Sequence, residues 1–211
     1  MIEIILAEFG KQPNTDNIKK YFPNATISVY TDLPNIVKED HPRYGWIMND
    51  YWKVKKILQS KAQIAIAMDG DLFIVNKDVE KIIPLVKKFG ICLLANPRKL
   101  VRVDTLIGAG SDKQLDETNG TGYALNGAVV AVDITNVRVR RLLEKFCEIM
   151  EKTPLRAPLV WWRAIWETGI NPYILPPNWC VCEEDVGIDN EIILHIGHEK
   201  VKEYYSHLCN R

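Results

Sequence analysis

Short apolar runs rich in isoleucine and valine alternate along this chain with apolar stripes at helical spacing, and that alternation narrows the fold to one class. The runs at 2–7, 26–30, 63–68, 91–94, 128–132, 173–175 and 192–194 have the brevity and β-branched content of buried strands. Between them, Ile47, Tyr51, Val54 and Leu58 share one helix face. Val79, Ile82, Val86 and Phe89 form a second stripe, which Pro84 is expected to restart or kink. Val139, Leu142, Leu143, Phe146, Ile149 and Met150 mark the clearest amphipathic helix, and Trp162, Ile165 and Trp166 mark a short one. Strands alternating with helices predict an α/β sheet covered by helices on its faces. In open sheets of that kind, ligands bind beyond the carboxyl ends of the strands. The strand ends are therefore where chemistry is to be sought.

The chain has 211 residues, enough for one compact domain spanning 1–211 with a substantial core. Hydrophobic residues make up 47% and charged residues 26%, a balance that excludes a disordered chain. Lys+Arg and Asp+Glu each number 27, so no excess of positive charge suits a long nucleic-acid groove. The five cysteines are odd in number and irregular in spacing, and Cys180 and Cys182 are one residue apart where zinc knuckles use two. A disulfide framework is not expected, and a reducing, cytoplasmic setting is. Glu3 interrupts the N-terminal apolar run and no basic leader precedes it, so it reads as a strand and not a signal peptide. No stretch has the length of a membrane span, so no transmembrane segment is expected. The polar, glycine-rich stretch 108–122 reads as a mobile loop of the kind that closes over a site.

Asp69-Gly70-Asp71 stands at the end of the apolar run 63–68. Two carboxylates that close repel each other unless a cation lies between them. A hard divalent ion, Mn2+ or Mg2+, takes such oxygen ligands and binds phosphate oxygens as well. The same pair could instead cap a turn. His195 ends the run 192–194 and is a candidate third ligand, or a hydrogen-bonded strand-end histidine. Gly197 would let backbone approach a phosphate, and Lys200 would add positive charge. Glu8 and Phe9 follow the first strand and Asp32 the second, strand ends where a bound ligand can be recognised; Asp32 could equally serve a turn. Asn49, Asp50 and Lys53 sit on the helix before the acidic pair, Lys53 either reaching phosphate or lying on a solvated face. Asn126, ahead of Gly127, is either a sugar contact or a turn residue. Arg98 and Arg102 either offer charge to a bound substrate or are surface charge, and Trp161 and Trp162 offer aromatic faces, although at least two of Trp161, Trp162, Trp166 and Trp179 are expected in the core. Glu183, Glu184 and Asp185 are loop acids that could lie near such a substrate, Asp185 foremost.

Four segments, in order, carry a resemblance: Asp69-Gly70-Asp71; Asn126-Gly127-Ala128-Val129-Val130-Ala131-Val132; Ile174-Leu175-Pro176-Pro177-Asn178-Trp179; and His195-Ile196-Gly197-His198-Glu199-Lys200. Together they resemble retaining glycosyltransferases of the GT-A fold, and within them the glycogenin and LgtC group, glycosyltransferase family 8. The resemblance implies a mixed, mostly parallel central sheet flanked by helices, and a hexosyl- or pentosyltransferase activity. It implies a manganese or magnesium ion held by Asp69, Asp71 and His195, a sugar contact at Asn126, and closure of Gly197 and Lys200 over the donor's diphosphate. The donor it implies is a nucleoside-diphosphate sugar, with UDP-sugar first; the acceptor is open among a saccharide, a lipid-linked sugar, a protein and a modified nucleic-acid base. The chain departs from the family pattern in three places. One residue, Ile196, separates His195 from Gly197 where the family has two; Lys200 is followed by Val201-Lys202 in place of Pro-Trp; and no acidic-Gln pair follows the sugar-binding strand.

Two other readings start from the same residues. A haloacid-dehalogenase-like phosphatase also carries Asp-X-Asp after a strand, but continues it with Gly-Thr where this chain has Leu72-Phe73. A non-catalytic nucleotide-sugar-binding module would keep a base site and aromatic faces without needing Asp69 and Asp71 together.

Overall fold

The computed structural model describes residues 1–7, 13–31, 34–95, 125–182 and 190–209. Its centre is a six-stranded sheet built from β1 (Ile2–Ala7), β2 (Thr26–Tyr30), β3 (Ile64–Asp69), β5 (Ile91–Ala95), β6 (Leu125–Asp133) and β7 (Tyr173–Leu175). The order across the sheet is β2-β1-β3-β6-β5-β7. β1 pairs in parallel with β2 and β3, β5 pairs in parallel with β7, and β6 runs antiparallel between β3 and β5. Two further short strands, β4 (Leu72–Ile74) and β8 (Ile193–His195), form an antiparallel pair of their own.

Period-two alternation divides the apolar side chains between the two faces. Ile5, Ala7, Ala65, Ala67, Ile91, Leu93, Val130 and Val132 point to one face, against α2 (Tyr44–Gln59), α4 (Val137–Lys152) and α5 (Ala157–Thr168). Ile4, Leu6, Ile64, Ile66, Met68, Cys92 and Leu94 point to the other, against α1 (Thr15–Tyr21), α3 (Ile82–Phe89) and the β4–β8 pair. Because both faces are covered, the strands read as continuous apolar runs and not as a polar–apolar alternation. The remaining described helices are α6 (Glu199–Tyr204), α7 (Ser206–Cys209) and two short 3-10 helices, Lys77–Lys81 and Pro177–Trp179. Among the described residues no helix is long and apolar enough to cross a membrane.

Local signals account for several element ends. The Asn136 side chain accepts hydrogen bonds from the backbone N–H of Arg138 and Val139 and so starts α4. Pro84 falls in the first turn of α3, where its missing N–H costs little, and the stripe restarts there: Val79 belongs to a preceding 3-10 turn (Lys77–Lys81), and Ile82, Val86 and Phe89 belong to α3. Gly90 ends α3 at φ 83°, a conformation glycine adopts without strain, and a side chain there would strike Asn136 and Val139. The polar stretch that forms α1 carries no apolar stripe to announce a helix. Asn14 caps it, and its buried Asn17 exchanges hydrogen bonds with both backbone groups of Ile74, so a polar side chain docks this helix.

Candidate metal centre

The strand directions fix where a site can be. Ala7 pairs with Asp69 and Ala95 pairs with Leu125, so the carboxyl ends of β1, β3 and β5 meet the start of β6 along one edge of the sheet. Asp69 is the last residue of β3 on that edge. The chain turns at Gly70 and Asp71 and enters β4, whose Leu72 pairs with His195 of β8. That pairing carries His195 back to the acidic pair across more than a hundred residues of sequence. His195 Nε2 stands 3.0 Å from Asp71 Oδ1. One ligand atom each from Asp69, Asp71 and His195 lie within 4.8 Å of one another. The three metal ligands expected from sequence are therefore brought together, and two carboxylates with an imidazole are a donor set that suits Mn2+ or Mg2+.

Gly197 shapes this cluster. A Cβ placed there would overlap Asp71 Oδ2 and stand 2.7 Å from Asp71 Cγ, closer than real side chains approach. The bare glycine lets the turn after β8 lie directly on the Asp71 carboxylate. Asp69 is held from below. Its Oδ1 accepts hydrogen bonds from Asn49 Nδ2 at 2.7 Å and from Lys53 Nζ, which leaves Oδ2 for other partners. Lys53 is 1% exposed, donates also to the Gly127 carbonyl at 2.7 Å, and pairs with Asp50 Oδ1 at 3.1 Å. Burial works against its charge, but Asp69 and Asp50 outweigh it and hold the ammonium above its ordinary pKa. Burial raises the Asp50 pKa, Lys53 opposes it, and Asp69 adds to the rise. Lys53 thus corrects both sequence readings: it is neither solvated nor turned to a phosphate, but is a buried cation under the acidic pair.

On the other side of the cluster, His195 Nδ1 lies 3.2 Å from Cys182 Sγ, and Cys182 Sγ lies 4.0 Å from Cys180 Sγ. Burial tends to lower the His195 pKa, but the bonds to Asp71 and Cys182 prevail and raise it to about 10. The contact with the Cys180 thiol lowers the Cys182 pKa against the effect of burial, and His195 lowers it further.

A cleft of about 410 Å³ opens above these residues, lined by Ala7, Gly45, Trp46, Asn49, Asp69, Gly70, Asp71, His195, Gly197 and His198. Its size suits a small-molecule ligand. Trp46 is 64% exposed, with the Arg156 guanidinium 5.6 Å from its ring centre. The His198 ring meets the His195 ring edge-on at 4.7 Å.

The other sequence candidates fall in different places. Asn126 occupies an irregularity in the β5–β6 ladder, where its Oδ1 accepts from the Ala128 backbone N–H at 2.6 Å; the turn-forming role is filled, and its amide NH2 is left as donor. It is not among the described residues lining the cleft. Lys200 is exposed on α6, beyond that lining. Trp161 is fully buried against Phe146 at 4.2 Å and cannot serve an acceptor; it is core. Trp162 is also buried, stacked at 6.2 Å on the exposed Trp166, and Trp179 is buried too. Glu8, Phe9, Asp32, Arg98, Arg102, Glu183, Glu184, Asp185 and the stretch 108–122 lie outside the described residues.

Trp46 and Cys182 are site residues that the sequence reading does not single out, and His198, which has weaker claims there than His195, lines the cleft beside it. A signal for the first was present: Trp46, Asn49, Asp50 and Lys53 recur at helical spacing beside the apolar stripe of α2, a second face of that helix turned to the strand ends. Cys182 carries no sequence signal apart from its period-two partner Cys180.

No family model and no curated protein matches the sequence. Solved structures do match. A glycosyltransferase involved in the glycosylation of the major capsid of PBCV-1 superposes with a TM-score of 0.61 at 11% identity, covering 98% of each chain. The galactosyltransferase LgtC, solved with donor and acceptor sugar analogues, gives 0.58 at 8% identity over 99% of this chain and 95% of its own. Mouse xyloside xylosyltransferase 1 gives 0.54 at 12% identity over 94% and 86%. These likenesses establish that the chain has the GT-A fold, with the mixed, mostly parallel sheet flanked by helices that its motifs implied.

Proposed function

We propose that this chain, a GT-A fold, is a metal-dependent glycosyltransferase that moves a sugar from a nucleoside-diphosphate donor, UDP-sugar first, to an acceptor at the mouth of the cleft. The observation that carries the proposal is the convergence of Asp69, Asp71 and His195 at the carboxyl edge of the sheet, on the floor of a cleft of ligand size. That the structurally similar proteins are glycosyltransferases, one of them solved with donor and acceptor sugar analogues, supports the donor class.

In this reading Asp69, Asp71 and His195 hold Mn2+ or Mg2+, which when bound would act as a Lewis acid on the departing diphosphate. Lys53 and Asn49 hold Asp69 in place from beneath, so the carboxylate needs no reorganisation when the donor arrives. Gly197 leaves room for Asp71, and the turn it belongs to, with Lys200 beyond it, approaches the diphosphate. Trp46 offers an exposed aromatic face to the donor's base or sugar. Asn126 keeps an amide donor for a sugar hydroxyl. Transfer with retention of the anomeric configuration is the outcome proposed. A nucleotide-sugar-binding module would share the cleft but would not turn the donor over.

The experiment is a screen of nucleotide sugars for Mn2+-dependent hydrolysis and thermal stabilisation. UDP-sugars are expected to respond, and Asp71→Asn is expected to abolish both effects while leaving the far-ultraviolet circular dichroism unchanged. Stabilisation without turnover of any donor, in the presence of varied acceptors, would favour the binding module. Equal responses with and without metal would overturn the proposal.

A further inference from the structure

His195 stands between two donor sets of opposite chemical character. Its Nε2 faces the Asp71 carboxylate, and its Nδ1 faces the Cys182 sulfur, with the Cys180 sulfur beside it. The thiols are placed there by strand geometry. Val181 bridges Leu194 in parallel register, its N–H donating to the Ile193 carbonyl and its carbonyl accepting from the His195 N–H, both at 2.9 Å. Val181 and Leu194 turn together to one side, where they pack with Val201 and Tyr205. Alternation then turns Cys180, Cys182 and His195 to the opposite side. Both cysteines are free thiols and both are buried.

We propose that Cys180, Cys182 and His195 Nδ1 form a second cation site, for a thiophilic divalent ion of the zinc or cadmium class, and that filling it withdraws His195 from the carboxylate site. The distances fit. A tetrahedral zinc ion with Zn–S of about 2.3 Å and Zn–N of about 2.0 Å separates its sulfurs by roughly 3.8 Å and sulfur from nitrogen by roughly 3.5 Å. The two sulfurs here are 4.0 Å apart, and Cys182 Sγ is 3.2 Å from Nδ1. The three donor atoms lie within 4.8 Å of one another before any ion draws them together. Sulfur ligands select soft ions over Mg2+ and Mn2+, which prefer the carboxylates. On binding, two protons leave to solvent, the thiol proton of Cys180 and the one held between Cys182 Sγ and His195 Nδ1; three bonds form to the ion, and a fourth position is left for water. His195 lines the cleft, so an ion can enter from that side. A neutral imidazole has one free nitrogen lone pair. An ion on Nδ1 therefore leaves a proton on Nε2, which donates to Asp71 and cannot ligate the hard ion. The thiol site stands on its own geometry; the exclusion of the hard ion rests on the proposed role of His195 at the carboxylates.

The test is a titration of reduced, metal-free protein with Cd2+, following thiolate-to-cadmium charge-transfer absorption. One equivalent is expected to produce the band. Cys180→Ser and Cys182→Ser are expected to lose it, whereas Cys209→Ser and Asp71→Asn keep it. Zinc-loaded wild-type protein, which needs no variant, is expected to give two sulfur neighbours by X-ray absorption. Absence of the band in wild type, its survival in both cysteine variants, or zinc without sulfur neighbours would overturn the site. Mn2+ affinity, read from the electron paramagnetic signal of free ion, is expected to fall about tenfold or more when Cd2+ is bound, and by reciprocity Mn2+ weakens Cd2+. Unchanged Mn2+ affinity would overturn the withdrawal of His195. Failure of Mn2+ to bind the metal-free protein would count against the carboxylate reading instead, and the cadmium band would still decide the thiol site.

Discussion

Gly197 and Asp71 are in such close approach that no side chain fits between them: a Cβ on residue 197 would overlap the Asp71 carboxylate. Gly197→Ala is therefore expected to displace Asp71 and weaken Mn2+ binding by roughly 10–100-fold, the usual cost of disturbing a ligand's support. Residue 197 is exposed, so the variant should melt close to wild type. Isothermal titration with Mn2+, set beside a melting curve, measures both. A Kd equal to that of wild type would mean that Asp71 is not a ligand.

Lys53 is the second point of support. Its ammonium faces Asp69 and Asp50 with almost no solvent access. Lys53→Met removes the cation and leaves two carboxylates facing each other. Breaking a buried pair from one side costs about 3–5 kcal/mol. Since both acids keep some solvent exposure, the lower end of that range is expected in urea unfolding with chelator present. Mn2+ should restore part of the loss, because the ion neutralises Asp69 in place of the ammonium. No loss of stability, or no response to the ion, would count against this network.

How much of this was legible in sequence follows from which interactions are local. The strands and the helices α2, α3 and α4 were readable because each element buries a periodic apolar stripe, which is a property of neighbouring residues. The Asp69–Asp71 pair was readable because both residues stand in one turn. His195 could be read as a partner for that pair only because it, too, ends an apolar run. What could not be read depends on contacts between segments far apart in the chain. Lys53 reads in sequence as a solvated or phosphate-facing lysine because nothing in its own helix tells that Asp69 and the Gly127 carbonyl will cover it. Trp161 was a candidate acceptor face because its burial against Phe146 is decided by the packing of α5 on α4. Asn17 concealed a helix: its polarity pointed outward, and only the Ile74 backbone, brought by β4, makes it a docking residue.

The proton on His195 sets the pH dependence. Its pKa in the folded protein is raised to about 10 from an ordinary 6.5, so folding favours the charged ring. That contribution to stability is fully present below pH 6.5 and is lost as pH rises through about 10. Metal-free protein is thus expected to lose stability between pH 7 and pH 10 (as one contribution among those of all its titrating groups), and His195→Asn should lose that component. The same proton competes with a metal at Nε2. Mn2+ affinity should therefore climb with pH over this window, by up to about tenfold per unit for one displaced proton. Titrations at a series of pH values, at constant ionic strength, give the slope. A flat profile in wild type would remove His195 from the ligand set.

Trp46 supplies a test of the cleft that does not pass through the metal. It is the large aromatic surface of the lining, mostly exposed, on the turn of α2 that also carries Asn49 beneath Asp69. Stacking of a base on such a ring is worth about 1–3 kcal/mol. Trp46→Ala is accordingly expected to weaken donor binding by about tenfold or more, with Mn2+ affinity and melting temperature unchanged, because an exposed side chain contributes little to the core. Arg156 faces the same ring, so Arg156→Ala should give a smaller loss in the same direction by freeing the indole to turn. Donor Kd from tryptophan fluorescence of wild type and from calorimetry of the variants separates these effects. Undiminished donor binding in Trp46→Ala, together with intact Mn2+ binding, would place the nucleotide elsewhere along the carboxyl edge, toward the ends of β1 and β2.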